Sequence, residues 1–190
     1  MPFFVYGQDR PGAGPGLAEL TEAHWSYMDR FAGQLILRGP TLSGDGAEHT
    51  GSVHVVDLDD RAAADRFATQ EPFWQAGLYA GLTVVRATIL LRREPAGMAA
   101  GDEPHALVTG TWPPRVRGAA QLARPSGEPD RRICFLAALT TDDQAAITGI
   151  AAVAAAWPDA ALSLIQPLAD QLVGPPAPLE GRRWTAGGRS

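Results

Sequence analysis

Residues 17–42 read LAELTEAHWSYMDRFAGQLILRGPTL, and the period of their apolar residues changes partway along. Leu17, Leu20, His24, Met28, Phe31 and Leu35 recur at three- and four-residue spacing, which draws one stripe along one helix face. Gly33 supplies a C-terminal stop, so a helix is expected over Leu17–Gly33. Leu35–Leu42 then reads as a strand broken at Gly39-Pro40, because proline cannot donate to a ladder. Every member of the helix stripe suits a core except His24. Its imidazole can give or take a proton near neutral pH. By spacing alone the plainer reading prevails, a half-buried core histidine satisfied by backbone.

The flanking segments complete a unit. Upstream, Phe3–Tyr6 is a short strand ended by the turn-rich GQDRPGAGPG. Downstream, residues 43–51 are a polar, glycine-rich hairpin connection, and Ser52–Leu58 is a third strand. Asp59 or Asp60 caps a second helix that buries Ala63, Ala64, Phe67 and Ala68. Pro72 breaks that helix, since it disfavours helical geometry at Glu71, and a helical piece continues to about Tyr79. Leu82–Leu91 is the fourth strand. The order β-α-β-β-α-β is the split pattern of ferredoxin-like α+β folds. One face of such a sheet carries no helices, so a second sheet, a ligand or a dimer partner must cover it.

Glu94–Gly101 reads as a linker, which divides the chain into a domain over 1–94, a linker over 95–104 and a C-terminal α+β extension over 105–190. Strands are expected at Ala106–Trp112 and Ile133–Thr140, with an irregular loop over 113–131 between them. Asp142 or Asp143 starts an Ala-rich helix to about Trp157; strands follow at Ala161–Gln166 and around Arg183–Thr185. VHVVDLDDRAAADRFA and FLAALTTDDQAAITGIA rhyme, so the extension reads as a degenerate half-copy of the first domain without its first helix. Chance similarity in an Ala-rich chain explains the rhyme equally well.

Composition removes several function classes. The net charge is −5 with no long basic run, which argues against nucleic acid, whose phosphates need clustered Lys and Arg. No apolar run matches a membrane span, and MPFFVYGQDR lacks the layout of a signal peptide, so the expectation is a cytoplasmic protein with no membrane partner. Cys134 is the single cysteine, an inert core thiol in ICFLAAL. No His-x-His or His-x₃-His spacing occurs, so no metal site is expected. Gly12, Gly14 and Gly16 lack the Gly-Lys-Ser/Thr of a phosphate loop and read as a lid over His24. No Gly-x-Ser-x-Gly element anchors a hydrolase triad.

FFVYGQDRPG, EAHWSYMDRFAGQLILRGPTL, GSVHVVDL and EPFWQAGLYAGLTV together resemble the YCII-related (YciI-like) family over about residues 1–95. The resemblance implies a ferredoxin-like unit of the dimeric α/β-barrel superfamily, and a homodimer. It also implies a small-molecule enzyme in which a helix histidine and an Asp before proline form an acid–base pair; one activity in the family is a lactone dehydrochlorinase. The histidine falls on His24, and the Asp-Pro position on Glu71-Pro72. An alignment slid by one residue puts Gln70 there, an amide that can orient the ring without charging it. With the resemblance added, His24 reads as functional.

The expected site is therefore His24 as general acid or base, with Glu71 or Gln70 orienting it. Tyr6, Trp25, Phe73 and Trp74 would line a substrate pocket, with Gly39, Pro40, Ser52 and His54 beside them. Aromatic residues are more often plain core, His54 with Ser52 fits a surface cross-strand pair, and Glu71 fits an exposed turn acid. His49 and His105 read as solvated. The expected chemistry is cofactor-independent lyase or isomerase work: proton abstraction with elimination, isomerisation or cyclisation of a lactone, organic acid or polyketide-like substrate in secondary metabolism. Amides near Gly39 and Ser52 would hold developing charge. The alternative is a non-catalytic dimeric scaffold or ligand-binding accessory protein with a decayed site, marked by an exposed His24 or a pocket filled by the extension. Haem binding through His24 is a third reading, which a colourless purified protein would set aside.

Overall fold

The computed structural model describes residues 1–93, 104–116, 128–175 and 177–188. The chain forms two compact units, Met1–Val85 with Ala186–Ser190, and Arg86–Thr185. The linker expected over 95–104 lies almost wholly outside the described residues.

The first unit contains β1 (Pro2–Asp9), α1 (Gly14–Asp29), β2 (Leu35–Leu42), β3 (His49–Asp57), α2 (Arg61–Thr69), α3 (Pro72–Gln75) and the start of β4 (Tyr79–Arg92). β3 pairs antiparallel with β1 on one side and β2 on the other. The Arg10 N–H donates to Leu78 O at 2.8 Å and its Nε to Tyr79 O at 3.0 Å, tying the end of β1 to the start of β4. The strand order is β4-β1-β3-β2, the ferredoxin-like arrangement.

Local chemistry sets the helix ends. Pro15 sits in the first turn of α1, where the missing N–H costs nothing. That helix starts three residues before the expected Leu17 and stops at Asp29, because Arg30–Gln34 turn back on 27–31 carbonyls. Asp60 caps α2 by accepting the Ala63 N–H, and Phe67, Ala64 and Ala68 are its buried face. They pack with Phe3, Val5, Tyr27, Met28 and Val56. Gly7 is required by packing: a Cβ there would stand 2.3 Å from the Tyr79 ring.

The second unit contains the rest of β4, β5 (His105–Val116), β6 (Ile133–Thr140), β7 (Ala146–Ala154), α4 (Pro158–Val173) and β8 (Glu180–Trp184). Antiparallel pairing runs β8-β5-β7-β6, with Arg86–Arg92 of β4 on β6. This is the first unit's strand order repeated, so the extension is a second α+β half. β5 runs to Val116, into the irregular loop expected over 113–131, and residues 117–127 of that loop lie outside the described residues. α4 covers the sheet through Ala161, Ile165, Leu168, Ala169 and Leu172.

Two sequence expectations fail here. The Ala-rich helix from Asp143 to Trp157 is instead the β6–β7 hairpin and β7. Asp143 accepts from Thr141 Oγ1 at 2.6 Å and Ala145 N at 2.9 Å, and Gln144 takes φ 58°, so the Asp pair makes a turn and not a cap. AITGIAAVA is buried along nearly its whole length, and sheet burial overrides alanine's helix propensity. The strand expected at Ala161–Gln166 lies inside α4, which opens at Pro158.

Candidate functional site

α1 carries His24 on its buried face, and Glu71 occupies the extended position before α3. His24 Nδ1 lies 2.6 Å from Glu71 Oε1, and both side chains are buried. The other carboxylate oxygen of Glu71 accepts the Trp74 N–H at 2.9 Å, so one acid both caps α3 and holds the imidazole. The His24 ring stacks on Phe73 with centroids 4.4 Å apart. Paired at Nδ1 with a carboxylate, the ring is fixed and its Nε2 is left for chemistry.

A cavity of about 890 Å³ opens in the first unit, and His24 lines it while Glu71 stands behind. Of the residues expected from sequence, Trp25, Gly39, Pro40, Ser52, His54 and Phe73 also line this cavity. Tyr6, Gln70 and Trp74 do not. Tyr6 is core and its hydroxyl lies 3.4 Å from Thr41 Oγ1. Gln70 is the exposed C-cap of α2, so the carboxylate at Glu71, not the amide at 70, meets the ring. Trp74 contributes its backbone N–H to Glu71.

His54 is deeply buried, 5.7 Å from the His24 ring and edge-on to Phe67. Burial above all, helped by His24 and Arg38, pulls its pKa well below the usual histidine value, so it stays neutral. Burial, and then Glu71, pushes the Tyr79 phenol well above its ordinary value.

Three features of the wall were not expected. His49 Nδ1 lies 2.6 Å from Asp9 Oδ2, and its Nε2 is 3.4 Å from Ser52 Oγ. Arg38 lines the cavity, its Nη1 3.5 Å from Asp29 Oδ1. Ala186, Gly187 and Gly188 complete the wall: the Gly187 N–H donates to Arg38 O at 3.0 Å and Arg38 Nε donates to Gly187 O at 3.1 Å. Among the described residues no group of three or more His, Cys, Asp or Glu could hold a metal ion. None of the described helices is long and apolar enough to cross a membrane.

The YCII-related domain matches residues 1–88. Among solved structures, the chain is 30% identical to the 5-chloro-2-hydroxyhydroquinone dehydrochlorinase of Burkholderia phenoliruptrix AC1100, in complex with 2,5-dihydroxybenzoquinone. That match covers 45% of this chain and 92% of the other, with a TM-score of 0.43. Two proteins provisionally described as monooxygenases match nearly end to end. The one from Lactobacillus acidophilus NCFM is 10% identical, with a TM-score of 0.51, over 98% of this chain and 97% of the other. The one from Fusobacterium nucleatum is 11% identical, with a TM-score of 0.52, over 97% and 91%. At such identity these two bear on fold alone and agree with the α+β class. Comparison with curated proteins gives no match.

Proposed function

Residues 1–88 of this chain are a YCII-related domain, and on that premise we propose that it is a small-molecule enzyme in which His24 removes a proton beside a carbonyl. The observation that carries the reading is the buried 2.6 Å pair of His24 and Glu71 at the wall of a roomy cavity. Glu71 holds the ring and balances the imidazolium that forms, as a carboxylate does behind a catalytic histidine. A positioned base of this kind contributes roughly 10²–10⁴-fold.

The apolar part of the wall, with Trp25, Phe73 and Pro40, suits a lactone, organic acid or polyketide-like ring. Ser52 and the Arg38 cation stand in the same wall as candidates to meet an enolate oxygen. The scaffold alternative expected an exposed His24 or a filled pocket. His24 is buried and the cavity is open, even though Ala186–Gly188 form part of its edge. A cytoplasmic homodimer belongs to the same reading; light scattering on the purified chain tests the dimer.

The test is exchange of an acidic C–H with solvent. The chain is incubated in D₂O with α-angelica lactone, and deuterium uptake beside the carbonyl and double-bond migration are followed by NMR. Catalysed exchange that collapses in His24→Gln supports the reading. Exchange no faster than buffer, or unchanged in His24→Gln, sinks it.

A further inference from the structure

The cavity holds a second histidine–carboxylate pair that the proton abstraction above does not use. His49 Nδ1 meets Asp9 Oδ2 at the same 2.6 Å that separates His24 from Glu71. Asp9 is itself buried, with a side-chain exposure of 6%, and its other oxygen, Oδ1, has no hydrogen-bond partner. A protonated His49 would therefore be balanced in place by a carboxylate.

Both imidazoles address the same end of the cavity, because both touch Phe73. His24 lies flat on its face at 4.4 Å, and His49 meets it edge-on at 6.4 Å. With Nδ1 committed to Asp9, the free nitrogen of His49 is Nε2. An oxygen already stands against it, Ser52 Oγ at 3.4 Å, a long and easily displaced contact. The two rings differ in access: the His24 side chain is 11% exposed and that of His49 is 29%. His49 can thus be recharged with a proton from solvent between turnovers.

A site with a base alone can expel only a leaving group that departs as a stable anion. Hydroxide does not, and needs a proton as it leaves. Resting on the proton-abstracting role of His24, we infer that His49, held by Asp9, is the general acid that protonates a departing hydroxyl, and that the substrate class is a β-hydroxy carbonyl compound undergoing dehydration. His24 Nε2 takes the proton on the carbon next to the carbonyl, and the C–H electrons form the C=C bond. The C–O bond to the β-hydroxyl breaks, and His49 Nε2–H gives its proton to that oxygen, which leaves as water. His24 ends protonated and His49 neutral, and solvent carries the proton back before the next cycle.

The experiment compares two substrates that differ only in the leaving group, 4-hydroxy-4-phenylbutan-2-one and its 4-chloro counterpart. Both yield the same conjugated enone, read by its ultraviolet absorbance. His49→Gln is expected to lower hydroxide loss at least about a hundredfold more than chloride loss. Asp9→Asn should act in the same direction, with circular dichroism confirming the fold. His24→Gln should abolish both reactions. The wild-type pH profile is a readout independent of any variant: hydroxide loss, which needs a proton donor, should fall on the alkaline side, and chloride loss should not. Equal losses for the two substrates in His49→Gln, or matching alkaline limbs, would overturn the assignment. If the wild type exchanges the proton beside the carbonyl yet loses no hydroxide, the acid role falls and the base role stands. If no exchange occurs, both fall.

Discussion

Glu71 reaches His24 with one carboxylate oxygen, at 2.6 Å, and caps α3 with the other, at 2.9 Å from the Trp74 N–H. The acid that orients the imidazole therefore also fixes the helix that presents Phe73 to the same ring. Glu71→Gln keeps an oxygen for the cap but removes the charge behind His24. We expect it to keep its melting temperature within a few degrees while kcat falls roughly 10–100-fold, the usual effect of losing an orienting partner. Glu71→Asp retains the charge on a side chain one methylene shorter and should recover part of that loss. Thermal melts and turnover on one set of samples check this; a kcat untouched in Glu71→Gln counts against the pairing.

His24→Leu puts an apolar side chain into the apolar stripe of α1, but it also strands a buried carboxylate. The single variant should lose about 1–3 kcal/mol, because Glu71 keeps the Trp74 N–H and loses its other partner. The double variant His24→Leu with Glu71→Gln should recover much of that loss, since the amide keeps an oxygen for the Trp74 N–H and no buried charge is left unpaired. Urea titration of the wild type and the variants is the measurement. Strict additivity of the two changes would deny the coupling.

His54 makes stability depend on pH. Its folded pKa is held well below its unfolded value, chiefly by burial. Above the unfolded value, near pH 6.5, neither state binds the proton and the group adds no slope. As pH falls below that, the unfolded chain takes up a proton that the folded chain refuses. Stability should drop by up to about 1.4 kcal/mol per pH unit until the folded pKa is reached. His54→Leu should flatten the stability curve below pH 6.5. An unchanged curve would mean that His54 titrates normally.

Much of the first unit was legible because its helices and strands have periods that differ. The 17–42 stretch carries both, and the structure changes from α1 to β2 within it. His24 was legible as the one misfit in a stripe, and Glu71 through the acid-before-proline resemblance. His49 was not, because it reads as part of the polar 43–51 connection, and alternation along β3 would in any case put it on the opposite face from Ser52 and His54. The register explains why: Thr41 faces Gly51, but Leu42 faces His49, so Thr50 is an extra residue that turns His49 onto the cavity side. A one-residue bulge leaves no mark in hydrophobic period. The second unit misled for another reason. Its alanines are good helix formers placed in a buried strand, and only the Thr141–Ala146 turn chemistry distinguishes the two outcomes. Ala186–Gly188 lie far along the chain from the cavity they line, and local patterns carry no trace of such a contact.

Cys134 should behave as an inert thiol. Burial pushes its pKa up, and its Sγ lies 3.3 Å from Arg132 O, to which it donates. Since the thiolate is the reactive form, alkylation by iodoacetamide at pH 8 should be at least about tenfold slower in the folded protein than in denaturant. Mass spectrometry over a time course reads this directly; rapid labelling of the folded chain would show an open, reactive site.

The tail gives the last prediction. Gly187 exchanges two hydrogen bonds with Arg38, and its approach is close enough that a Cβ would stand 2.9 Å from Gly39 Cα. Gly188 takes φ +120°, and a Cβ there would collide with the Arg38 guanidinium. The segment is thus glycine at two successive positions where side chains do not fit, against a residue of the cavity wall. Ending the chain at Thr185 removes both bonds, worth about 1 kcal/mol each, and frees Arg38. The melting temperature should fall by roughly 4–8 °C, at about 2–4 °C per kcal/mol for a chain of this size. The cavity would lose part of its edge, so KM should rise, whereas the His24–Glu71 pair is untouched and kcat should hold within a few-fold. A truncated chain with unaltered KM would show that Ala186–Gly188 cover the wall without meeting the substrate. A collapse of kcat at constant KM would instead place Arg38 in the proton-transfer step, where its cation would meet the enolate oxygen.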